Sequence, residues 1–80
     1  MKKLNILFFG KLKMIWNTSQ LSLQSDCETI ECLYAELLTH ANEIPHKASI
    51  KVAINDEFMS WDSVIKDNDT IAFLPPASGG

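Results

Sequence analysis

The residues whose types and spacing could do chemistry are few, and the clearest stand together. Pro75-Pro76-Ala77-Ser78-Gly79-Gly80 spends two of the chain's three glycines on its last two positions. Glycine has no β-carbon, so Gly79-Gly80 can thread a channel too narrow for any other residue, in backbone conformations that others avoid. The diproline stiffens the root and projects the segment away from what precedes it. Five or six extended residues reach roughly 16–20 Å. With no ionisable side chain and no bulk, such a tail delivers its own terminal carboxylate, ionised at neutral pH. A carboxylate is a poor acyl donor, so this chemistry requires activation, and acyl-adenylation from ATP is the available route.

Other constellations are weak. Cys27 and Cys32 are the only cysteines, and their spacing makes neither a CxxC redox motif nor a tetrahedral zinc site. On a helix their side chains would face about 140° apart. That places Cys32 in the core and Cys27 at the surface where the helix starts, both as reduced thiols. His40 and His46 flank a helix end and a Pro45 loop, where surface positions are expected. Asp67-Asn68-Asp69 reads as a tight turn with a left-handed Asn rather than as a metal site. With its remaining glycine at position 10, the chain has no phosphate-cradling loop and no HExxH or GxSxG. The expectation is no enzyme in its own right, no metal and no stably bound cofactor.

The elements that must position the tail follow from periodicity. Residues 3–9 alternate as a strand, with Leu4, Ile6 and Phe8 on one face and Leu7 and Phe9 on the other. After Gly10, residues 11–18 form a turn region, with a short helical turn or the ragged start of a second strand. Leu21 and Leu23 mark a half-buried antiparallel partner. Ser25 and Glu28 have capping-box spacing, and Thr29 competes as N-cap. Ile30, Leu33, Leu37 and Ala41 make a helical stripe, predicting a helix over about 29–41 that stops before Pro45. Strands are expected at 50–54, weakly near Phe58 and Met59, and at 70–74, with Val64 and Ile65 returning to the core.

This order, β-β-α-β-(β)-β, predicts an α+β fold: a ubiquitin-like β-grasp roll whose mixed sheet carries one main helix on one face. Its first and last strands lie side by side and parallel at the centre. Residues 1–74 form the domain and 75–80 a flexible tail. Parity directs Ile6, Phe8, Val52, Ile54, Ile71 and Phe73 inward against Ile30, Leu33 and Leu37. It leaves Leu7, Phe9 and Leu74 outward with Phe58 nearby, an exposed apolar group that reads as a docking patch.

Composition bounds the remaining possibilities. Eighty residues allow one small domain. No apolar run approaches the ~20 residues of a membrane span, and Leu4 to Phe9 is too short for a secretory signal, so the cytoplasm is expected. There is no arginine, which argues against nucleic-acid recognition. Four lysines stand in the first fifteen residues without an acid, whereas the rest carries ten acids against three lysines. Such an acidic body favours basic partners.

With these residues in view, the chain resembles the small, sulfur-carrier subunits of molybdopterin synthase. ILFFGKLK and TIECLYAEL resemble them moderately; VAIN, DEFMSWD and KDNDTIAFLPPASGG resemble them strongly, above all in the F-x-PP-x-S/T-GG ending. Lys11 and Lys13 stand where that family often has Arg, and Asn68 where it often has Gly. The resemblance implies that Gly80 is adenylated by an E1-like adenylyltransferase using ATP. A persulfide sulfur, from a donor such as a cysteine desulfurase or a rhodanese-like protein, then displaces AMP and leaves a thiocarboxylate. Residues 75–79 insert into the large subunit of the synthase, expected as a heterotetramer, where the sulfur passes to cyclic pyranopterin monophosphate. Phe9, Phe58 and Leu74 are the implied partner interface. Two alternatives stand beside it: a thiamin-type sulfur carrier, which shares Gly-Gly but generally lacks the diproline, and a non-reactive ubiquitin-like binding module.

Overall fold

A computed structural model describes residues 1–75. The elements run β1 (Lys2–Phe8), α1 (Leu12–Trp16), β2 (Gln20–Ser25), α2 (Ile30–Leu38), a 3₁₀ turn (Lys47–Ser49), β3 (Lys51–Ile54), β4 (Glu57–Met59) and β5 (Thr70–Leu74). The five strands form one mixed sheet in the order β2-β1-β5-β3-β4. β1 and β5 are parallel neighbours at its centre, in the register Ile6↔Ile71 and Phe8↔Phe73. The remaining pairs are antiparallel. This is the expected β-grasp roll.

Side-chain parity explains which face α2 covers. Ile6, Phe8, Ile71 and Phe73 are 0–1% exposed, and Ile30, Leu33 and Leu37 on α2 are equally enclosed. Leu4, Val52 and Ile54 extend this layer, and Ile65 closes it from the β4–β5 connection. Two αL turns make the connections possible. Asn55 and Asp56 both have positive φ and join β3 to β4 in a tight hairpin; Asn68, at φ 71°, turns the chain into β5. Asp67 and Asp69 accept backbone N–H bonds from Lys3 (2.6 Å) and Lys66 (2.8 Å), so both carboxylates serve that turn.

Several expectations need correction. After Gly10 the helical-turn alternative forms, as α1, and the strand start does not, so the sheet face carries a second, short helix beside the main one. α1 buries Leu12, Ile15 and Trp16. Trp16 stacks on Phe8 at 4.6 Å, and its indole N–H donates to the Leu37 carbonyl at 2.8 Å. The main helix ends at Leu38 rather than near 41. Beyond it the Thr39 hydroxyl donates to the Glu36 carbonyl, and Asn42 N–H turns away to bond Ile15 O at 2.9 Å, so a tertiary bond to α1 replaces another helical turn.

At the other end of α2, Thr29 is the N-cap, accepting from Cys32 N–H at 3.2 Å. Ser25 is buried and bonds Cys27 N–H and the Glu36 carboxylate, so the Ser25–Glu28 capping box does not form. Val64 is exposed, and only Ile65 enters the core. The cysteines reverse their expected places: Cys32 is exposed and Cys27 half-buried against the core. They are also not reduced thiols, because Cys27 and Cys32 form a disulfide with Cα atoms 5.6 Å apart. Cys27 precedes the N-cap, so the helical angle that separated the pair does not apply to it.

Tyr34 lies in the aromatic layer, 4.9 Å from Trp61 and 5.8 Å from Phe73. Its buried hydroxyl has no hydrogen-bond partner among the described residues. Burial pushes this phenol above its ordinary value of 10.0. The unfolded chain ionises first, so the folded state holds the proton longer. Stability from this group is complete below about pH 10 and falls as pH rises through the folded value. Tyr34→Phe is expected to remove that alkaline loss at no cost near neutrality, because no hydrogen bond is broken. Urea unfolding of both proteins from neutral to alkaline pH checks this.

Candidate functional site

The site begins where β5 ends. Its central strand delivers the chain to Pro75, which has no N–H and so stops the ladder. The last main-chain bond between the central strands is Phe9 N–H to the Phe73 carbonyl, at 3.1 Å. Of the expected tail, Pro75 lies within the structure; Pro76, Ala77, Ser78, Gly79 and Gly80 lie outside the described residues.

Gly10 holds the root of the tail. It has φ +57°, and a β-carbon there would stand 2.6 Å from Pro75 Cγ. Backbone conformation and close approach both demand glycine at this position. Residue type alone marks Gly10 only as the end of a strand. The signal was present: it is the one glycine outside the terminal pair, and it follows the strand that is neighbour to β5. Beside Pro75 opens a cleft of about 270 Å³ lined by Lys11, Ile15, Ile44, His46 and Ile50 among others. Ile44 is largely exposed there. Neither Ile44 nor this cleft was visible in the sequence, because the loop after α2 has no periodicity linking it to β5.

The open face of the sheet, away from α2, joins this root. Register places Phe58 opposite Ala53, Ala53 opposite Ala72, and Ala72 beside Leu7. Phe9 follows the Phe8↔Phe73 pair, one step on, and so flanks Leu74. Phe58 is 68% and Phe9 42% exposed, while Leu7 and Leu74 are half-buried. The structure therefore brings Phe9, Phe58 and Leu74 onto one open apolar face, with small alanines between them, leading to Pro75.

Lys11 and Lys13 are exposed on α1 and the turn before it, and Lys11 lines the cleft beside Pro75. His40 and His46 are exposed, and among the described residues no group of three or more His, Cys, Asp or Glu stands together to hold a metal ion. No helix among the described residues is long and apolar enough to cross a membrane. The arrangement is an open apolar face that leads to Pro75.

A mixed sheet wrapped on a main helix in this order is a roll of the ubiquitin-like class, and comparison with known proteins narrows it. The ThiS family model matches residues 6–80, so this chain belongs to the ThiS family. A relative from Haemophilus influenzae, the molybdopterin synthase sulfur carrier subunit, is 32% identical over 96% of this chain and 99% of its own length. Two solved structures share the fold. The small archaeal modifier protein 1 of Methanosarcina acetivorans has a TM-score of 0.81 at 24% identity, covering 100% of this chain and 98% of its own. Subunit 1 in the complex of subunits 1 and 2 of molybdopterin-converting factor from Helicobacter pylori has a TM-score of 0.71 at 23% identity, covering 98% and 99%.

Two substitutions separate the roles of these residues in the isolated chain. Phe58→Ser removes an exposed ring and is expected to change stability by less than about 0.5 kcal/mol. Gly10→Ala adds a β-carbon at positive φ against Pro75 and should cost about 1–2 kcal/mol. Thermal or urea unfolding of the two variants beside the parent gives the comparison.

Proposed function

We propose that this chain is the sulfur carrier of molybdenum cofactor biosynthesis, the small non-catalytic subunit of a molybdopterin synthase. The observation that carries the reading is the run of the family match through residue 80, which takes in Pro75-Pro76-Ala77-Ser78-Gly79-Gly80. The Haemophilus influenzae relative, by its name, supports the molybdopterin assignment. The diproline supports it over a thiamin-type carrier.

In this reading Gly80 contributes its α-carboxyl as the reacting group. A carboxylate has no leaving group, so an E1-like adenylyltransferase joins it to AMP from ATP, releasing pyrophosphate. The terminal sulfur of a persulfide on a donor protein then displaces AMP, giving an acyl disulfide; a second thiol attacks the donor-side sulfur, so the S–S bond breaks, Gly80 leaves as a thiocarboxylate and the two thiols are left as a disulfide. This chain supplies the acyl group and the reach, while the catalytic side chains belong to its partners.

The large subunit receives the tail. Residues 75–79 carry no charge and taper to glycine, which suits an enclosed channel. The open face with Phe9, Phe58 and Leu74 docks the domain, so that tail and patch enter one interface together. There the thiocarboxylate gives its sulfur to cyclic pyranopterin monophosphate. The same face meets the adenylyltransferase, and the exchange takes place in the cytoplasm.

Two tests follow. Chain isolated with its sulfur-loading enzymes should show one oxygen replaced by sulfur on Gly80 by intact mass and C-terminal peptide fragmentation. Gly80→Val, deletion of Gly80, or one residue added after it should leave the melting temperature unchanged and lower ATP-dependent adenylate formation on the order of a hundredfold, because the acyl carbon is misplaced. An extended chain that still delivers sulfur without trimming would sink the carrier reading. For docking, Phe58→Ser or Phe9→Ser should weaken large-subunit binding by tenfold or more, about 1.4 kcal/mol, in calorimetric titration. Unchanged binding would remove these residues from the interface.

A further inference from the structure

The disulfide between Cys27 and Cys32 has no part in the carrier chemistry, yet it stands at a structural seam. Cys27 lies between β2 and the N-cap Thr29, and Cys32 in the first turn of α2, so the bridge spans the start of the helix. The residues it encloses are bonded to the connection between β4 and β5. Glu31 N–H donates to Trp61 O at 2.9 Å, Ile30 N–H to Ser63 O at 3.2 Å, and Ile65 N–H to Glu28 O at 2.9 Å. Thr29 and Val64 form an isolated antiparallel bridge. On the same side, Glu31 pairs with Lys47, whose ammonium lies 4.9 Å from the Trp61 ring centre.

We propose that Cys27 and Cys32 form a reversible dithiol–disulfide site, opened by a dithiol reductant, whose state sets how tightly this seam holds the 61–65 segment. The inference does not rest on the carrier reading. Cys32 is exposed and Cys27 half-buried, so an incoming thiolate reaches the Cys32 sulfur. The new S–S bond forms there, and Cys27 leaves as a thiolate and takes a proton. The second thiol of the reductant then attacks its own sulfur in the mixed disulfide and releases Cys32. Two electrons and two protons pass to the pair, and the reductant becomes a disulfide. Glutathione disulfide restores the bridge and leaves as two molecules of glutathione.

Reduction breaks none of the seam's hydrogen bonds, nor the Thr29 cap. It removes the covalent closure over a sequence separation of five, a short ring. Chain entropy then favours opening by on the order of tenfold. The fold persists, and the segment that follows Phe58 and Met59 and bears Val64 is held less tightly.

The experiment uses the full chain, equilibrated with glutathione disulfide or with dithiothreitol, and reads thiols by N-ethylmaleimide uptake in intact mass. No adduct is expected in the first state and two in the second. Hydrogen exchange at the amides of Ile30, Glu31 and Ile65 should be about tenfold faster in the reduced state. The double variant Cys27→Ser/Cys32→Ser should exchange like the reduced protein under both conditions, which separates the bridge from any effect of the reagents. Two adducts after treatment with glutathione disulfide, disulfide-linked dimers, or equal exchange in the two states would each overturn the proposal.

Discussion

The parallel pairing of β1 with β5 places the two ends of the chain's order at the centre of one sheet, and almost every other feature depends on it. In-register contact of Ile6 with Ile71 and Phe8 with Phe73 builds an apolar strip with exposure of 1% or less. A strip that wide requires cover, and α2 with Ile30, Leu33 and Leu37 supplies it, while α1 closes the remaining gap through Trp16 on Phe8. Parallel neighbours need a long crossover, and the intervening elements provide it. Because the pair is central, the residue that follows β5 leaves from the middle of the sheet and not from a frayed edge. The tail root is thereby fixed in direction by the most enclosed part of the molecule.

The same pairing leaves the opposite face of the sheet open. Inward residues on β1, β5 and β3 alternate with Leu7, Ala72, Leu74 and Ala53, which no helix covers. Small alanines in the middle leave a shallow floor, and Phe9 and Phe58 rise at its margins. In the proposed function the domain docks and supplies the reacting carboxyl while other chains supply the catalytic groups. Substrate chemistry can then change with the partner while the roll stays the same.

Gly10 shows how one backbone position couples these parts. Its positive φ reverses the chain from β1 into α1, and its missing β-carbon leaves room for Pro75. The turn that starts α1 and the bend that starts the tail thus occupy the same space. A side chain at position 10 would press on both, so the stability of the α1 turn and the exit of the tail are not independent.

Strand parity, the helical stripe of α2, the αL Asn68 and the class of fold were legible in the sequence, because each rests on local periodicity or on the conformational limits of single residues. The reading of Ser78-Gly79-Gly80 as a carboxylate-delivering end rests likewise on the absence of bulk and charge, and it belongs to the proposed function. What the sequence could not determine depends on contacts between distant segments. Trp16 became core because Phe8 offered it a ring face, and α2 stopped at Leu38 because the next N–H groups tighten to carbonyls three residues back and Asn42 N–H then turns to Ile15 O. Cys27 met Cys32 because the chain between them is a cap and not a helical turn. Gly10 found Pro75, and Phe9 found Leu74, only through the pairing of β1 with β5, two strands far apart in the chain. Such contacts carry no periodic signature, since the residues that make them belong to different elements, and only the folded chain decides which of them meet.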